Sequence, residues 1–83
     1  MPKRLTLIGK PGCHLCDDAR AAVERVAASL PADAVVLEER DILQDAELFD
    51  RYVEQIPVLL IDGEEHAHWR LDDARLLAAL TLP

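Results

Sequence analysis

Lys10-Pro11-Gly12-Cys13-His14-Leu15-Cys16 is the stretch whose reading decides the fold. It holds both cysteines of the chain, spaced C-x-x-C. Before it lies the short apolar run Leu5-Thr6-Leu7-Ile8, which reads as a strand over 4–8. After it, Leu15, Ala19, Ala22, Val23, Val26, Ala27 and Leu30 recur at three- and four-residue intervals. That is the period of one helix face. Pro11 and Gly12 mark the turn between strand and helix. The cysteines therefore sit where a strand hands over to a helix, expected over 13–29.

That location bears on sulfur chemistry. The thiolate is the nucleophile, and a cysteine in an ordinary setting titrates at about 8.5. A helix N-terminus carries unpaired N–H groups and about half a positive charge. Both favour the thiolate. Cys13, at or beside the N-cap, is nearest those donors and reads as the attacking thiol. Cys16, one turn on, can reach back to close a disulfide and reads as the resolving thiol. Lys10 adds a favourable charge, whereas Asp17 and Asp18 share the helix end and compete for its field. His14, between the cysteines, is either a residue that tunes the first thiolate when protonated or a solvated first-turn side chain.

Eighty-three residues make one small domain, taken as 1–83, with a modest core. Nine Lys and Arg against sixteen Asp and Glu give a net charge of −7. Phosphate binding needs clustered cations, so neither a nucleic-acid partner nor an anionic membrane surface is expected. No apolar run approaches membrane-spanning length. Met1-Pro2-Lys3-Arg4 is basic, but the apolar stretch behind it is too short for a signal-peptide core. A cytoplasmic monomer is expected. In a reducing compartment a C-x-x-C pair is catalytic or metal-binding more often than a structural staple.

Further along, 34–41 reads as a strand whose apolar start, Val35 and Leu37, gives way to polar residues from Glu38. Residues 45–52 form a short helix with Asp45 as candidate N-cap and Leu48, Phe49, Tyr52 and Val53 as its buried side. Pro57 opens an apolar strand over 57–61. Asp62-Gly63 is a two-residue hairpin signal, with the return strand over 65–70. Asp72 caps a last helix over 73–80, with Leu76, Leu77 and Leu80 facing inward. The order βαβαββα predicts an α/β sandwich. Its first two strands should be parallel, as a crossover connection requires, and its last two antiparallel.

The order of elements, Lys-Pro-x-Cys-x-x-Cys, and Ile56-Pro57 opening a strand together resemble a glutaredoxin of the thioredoxin-fold superfamily. The resemblance covers nearly the whole chain. It is closest to short bacterial glutaredoxin-like proteins with a Lys-Pro-Gly-Cys-x-Leu-Cys-Asp type of start. It implies a three-layer sandwich, a four-stranded mixed sheet with helices on both faces. It implies catalysis of thiol–disulfide exchange by Cys13 and Cys16, with Lys10 on the glutathione side and Pro57 as a cis-proline facing the cysteines. Ile56, Trp69 and Asp72 complete the expected substrate-binding set. No bound cofactor is expected; glutathione is the candidate reductant, and a disulfide-containing protein or a small thiol compound the partner.

The chain departs from the glutaredoxin pattern at two places. Gln55-Ile56 replaces the usual Thr-Val before the cis-proline. Trp69 and Arg70 occupy positions where glycines let the backbone approach glutathione. Glutathione is accordingly expected to be a poor ligand. Two rival readings stand beside the redox one. The first is a thioredoxin-fold binding module with vestigial cysteines and a groove at Pro57 and Trp69. The second is a metal site of Cys13, Cys16 and histidine, for which His14, His66 and His68 are the candidates. A structural zinc commonly needs four ligands.

Overall fold

The computed structural model describes residues 2–82. Strand β1 (Lys3–Gly9) leads into helix α1 (His14–Ala28), then strand β2 (Val35–Asp41). A 3-10 turn (Ile42–Gln44) precedes helix α2 (Ala46–Tyr52). Strands β3 (Val58–Ile61) and β4 (Glu64–His68) form the hairpin, and helix α3 (Asp73–Thr81) follows. The sheet order is β2-β1-β3-β4, with β1 parallel to β2 and antiparallel to β3, and β3 antiparallel to β4. This is the expected thioredoxin-like sandwich.

Side chains alternate across a strand, so each face of β1 serves one layer. Leu5 and Leu7 point to the side where Ala19, Val23 and Val26 of α1 and Leu76 of α3 pack, joined by Leu59. Ile8 points to the other side, against Tyr52 of α2, Val58 and Ile42. Two helices therefore cover one face and the short α2 covers the other.

Polar groups at the element ends follow the cap rules. Asp45 Oδ1 accepts from the N–H groups of Glu47 and Leu48 at 3.0 and 3.2 Å, and Asp72 Oδ1 from those of Ala74 and Arg75 at 2.9 and 3.2 Å. In the hairpin turn, Asp62 and Gly63 take φ of 50° and 87°, the left-handed pair that a type I′ turn requires. Asp62 Oδ1 also accepts from Arg4 N–H at 2.9 Å, which ties the turn to β1.

Several expectations need correction. Phe49, Val53 and Leu77 are exposed, not buried. Helix α2 has only seven residues, so its contact with the sheet is met by Tyr52 and Leu48 alone. Leu76 and the half-buried Leu80 suffice for α3. The return strand stops at His68, short of Arg70, because Trp69 has φ 63° and leaves the extended region. The 3-10 turn after β2 was not anticipated; its signal is Asp41, whose Oδ1 accepts from Leu43 N–H at 2.8 Å.

Candidate redox site

The junction of β1 and α1 is built around sulfur. Gly12 has φ 75°, a conformation that costs glycine little, and turns the chain into the helix. Cys13 is extended, φ −100° and ψ 113°, and serves as the N-cap of α1. Its Sγ accepts a hydrogen bond from Cys16 N–H at 3.1 Å. A cysteine thus takes the place that serine or aspartate usually fills. A backbone donor aimed at this sulfur stabilises negative charge on it. The two cysteines form a disulfide, with Cα atoms 5.1 Å apart. Cys13 is half-buried, whereas Cys16 is buried at 2% exposure. The sulfur that a partner can meet is therefore that of Cys13.

Gly9, at the end of β1, was overlooked in the sequence. A Cβ there would lie 2.8 Å from Cys16 Sγ and 3.2 Å from Cys16 Cβ. Glycine is required for room under the sulfur; nothing in its backbone angles demands it. The visible signal was a glycine closing an apolar strand four residues before the first cysteine.

On the β2 side of the cysteines lies a cleft of roughly 330 Å³ bordered by Gly9, Lys10, Cys16, Arg20, Glu39 and Arg40. Arg20 donates to Glu39 at 2.6 Å and to Asp17 at 3.1 Å. These carboxylates, Glu39 foremost, hold the guanidinium above its ordinary pKa. Asp17, expected to oppose the thiolate, is thereby paired with a cation. No sequence motif marks Arg20 or Glu39 as part of this site, because their meeting depends on the α1–β2 packing rather than on spacing.

On the other side of the sulfurs are the ends of β3 and β4. The Ile56–Pro57 peptide bond is cis, and Pro57 is fully buried. Because Ile8 pairs with Val58, Pro57 lies beside Gly9. Trp69 N–H donates to Pro57 O at 2.8 Å, so Trp69 comes next in the same row. Its φ of 63° costs a non-glycine residue about 1–2 kcal/mol. Its indole Nε1–H donates to Glu54 O at 3.1 Å, in the turn leading to Pro57. The His68 ring meets the indole edge-on, with centroids 4.7 Å apart.

The structure thus brings Lys10, Cys13 and Cys16 together at one junction, and links Ile56-Pro57 to Trp69 beside it. His14 is an exposed first-turn residue. Asp72 stands apart from these contacts in its role, with Oδ1 engaged in capping α3. His66 lies on β4, where burial, aided by the charge of Arg75, lowers its pKa below the ordinary histidine value. Among the described residues no three His, Cys, Asp or Glu side chains are grouped to hold a metal ion, so the metal reading finds no ligand set there. No helix among them is long and apolar enough to cross a membrane.

A mixed β2-β1-β3-β4 sheet with a C-x-x-C pair capping its first helix defines a thioredoxin-fold protein of the dithiol type. Known structures agree. Chloroplastic thioredoxin z superposes with a TM-score of 0.72 over 95% of this chain and 75% of its own, at 15% identity, a likeness of fold. A protein of Nitrosomonas europaea matches with a TM-score of 0.82 at 28% identity, covering 98% of this chain and 94% of its own. One from X. campestris matches at 32% identity and a TM-score of 0.76, covering 95% and 97%. The chain belongs to the glutaredoxin-like domain family (DUF836), whose profile matches residues 4–81.

Proposed function

We propose that this protein is a thiol–disulfide oxidoreductase. The observation that carries the reading is the Cys16 N–H directed at Cys13 Sγ, on the half-buried member of a cysteine pair close enough to form a disulfide. In the reduced protein Cys13 attacks a substrate disulfide, RS–SR′. A Cys13–S–S–R bond forms and R′S⁻ leaves, taking up a proton. Cys16 loses its proton and attacks Cys13 Sγ, closing the Cys13–Cys16 disulfide and releasing RS⁻. Two electrons pass from the protein to the substrate. A thiol reductant of the cytoplasm, glutathione or a protein dithiol, restores the pair.

Substitution of each cysteine separates the two roles. Cys16→Ser is expected to accumulate mixed disulfides on non-reducing gels, and Cys13→Ser to accumulate none. Equal trapping by the two variants would remove the division of labour. No trapping, together with a pair that does not titrate in thiol–disulfide buffers, would remove the oxidoreductase reading itself.

A further inference from the structure

Trp69 is the feature of this molecule that its fold does not require. It is 52% exposed, its backbone takes a left-handed conformation that glycine would hold more easily, and yet three contacts fix it. Its N–H bonds Pro57, its indole N–H bonds the carbonyl of Glu54, and the His68 ring closes against one edge. An immobilised indole with half its surface in solvent is what a recognition platform needs, because little side-chain freedom remains to be lost on binding.

Its position relative to the sulfurs follows from the sheet. Gly9, Pro57 and Trp69 lie in one row across β1, β3 and the end of β4. Strands are about 4.8 Å apart, so the Trp69 backbone is about 10 Å from the Gly9 backbone above which Cys16 Sγ stands. An extended peptide advances about 3.3 Å per residue. A substrate whose cysteine meets Cys13 can therefore lay the residue two or three positions away on the indole.

Building on the oxidoreductase reading, we propose that Trp69 is a specificity-determining residue. It selects peptide or unfolded-protein disulfides that carry a bulky apolar side chain two or three residues from the cystine. Substrate chemistry is unchanged: the peptide disulfide is reduced and the Cys13–Cys16 pair is oxidised.

The test uses the full chain, pre-reduced and freed of reductant, in single-turnover reactions with disulfide-linked peptides; the peptide thiol released is measured by mass spectrometry. Two peptides of one length are compared, bearing Leu or Ser at the flanking position. The wild type should reduce the Leu peptide at least about tenfold faster than the Ser peptide. Trp69→Gly suits the backbone angle, so the fold is expected to survive, and the Leu-over-Ser ratio should fall to about threefold or less. Trp69→Phe retains a ring but loses the bond to Glu54, and should give an intermediate ratio. A wild type without preference for Leu, or a ratio that survives both substitutions, overturns the proposal. Failure of the wild type to reduce any peptide removes the oxidoreductase reading and this proposal with it, an outcome distinct from the others.

Discussion

Gly9 shows how a single missing atom supports the redox pair. Adding a Cβ would bring carbon to 2.8 Å from Cys16 Sγ, closer than a Cβ approaches a neighbouring atom in folded proteins. Overpacking of this kind costs about 1–3 kcal/mol. In the disulfide form Sγ is held by its bond to Cys13, whereas in the dithiol form it can turn about χ1. The penalty of Gly9→Ala therefore falls more heavily on the oxidised protein. Redox titration should show the equilibrium displaced toward the dithiol, by about tenfold for each 1.4 kcal/mol of difference. Denaturation of the two forms should show the larger stability loss in the oxidised one; equal losses would place the clash on the backbone instead. The contrast with Cys13 and Cys16 is instructive. Their spacing and position were legible because chemistry requires those residue types. A glycine that provides only space carries no such mark, and Arg20–Glu39 joins residues nineteen apart, a separation that no local pattern reports.

At the scale of elements, periodicity and cap chemistry placed every helix and strand to within a residue or two. Asp45 and Asp72 announced two helix starts, and both make the expected bonds. What periodicity did not give was depth. A helix stripe names the side that faces the sheet, but how much of it is covered depends on helix length and neighbours. Phe49, Val53 and Leu77 lie at the margins of their stripes and stay exposed. The end of β4 was likewise hidden, since the left-handed turn at Trp69 is dictated by the loop and not by the preference of tryptophan. The cap at α3 allows a direct test. Asp72→Ala removes the acceptor for two backbone donors, which costs about 0.5–2 kcal/mol. In a domain of this size each kcal/mol lowers Tm by about 4–8 °C. Thermal denaturation should show a drop of about 2–16 °C, and circular dichroism of the folded variant should keep the helical signal apart from fraying of one turn. An unchanged Tm would mean that Asp72 is held for another reason, such as contact with substrate.

For the whole molecule, stability is tied to pH through two groups that touch α3. His66 on β4 is partly buried and faces Arg75, and both effects lower its pKa, burial most of all. The folded protein therefore prefers neutral His66. The unfolded chain, with an ordinary histidine, takes up its proton at a higher pH, near 6.5. Above that value His66 contributes its full share to stability; as pH falls from there through the lowered folded value, the unfolded chain binds the extra proton and the share is lost. Asp73 acts lower on the scale with the same sign. Its hydrogen bonds to Arg25 hold its carboxyl below the ordinary range, so its contribution is present above the unfolded carboxylate value and disappears as pH falls through the folded one. Arg25 and Asp73 tie α1 to α3, across the core that Leu76 helps to fill. Denaturant melts of the oxidised protein should thus show stability falling on acidification in two windows, one just below the ordinary histidine pKa and one in the carboxylate range. His66→Gln should flatten the first and leave the second, and Asp73→Asn the reverse. A His66→Gln profile that still declines through the histidine window would show that His66 does not carry it.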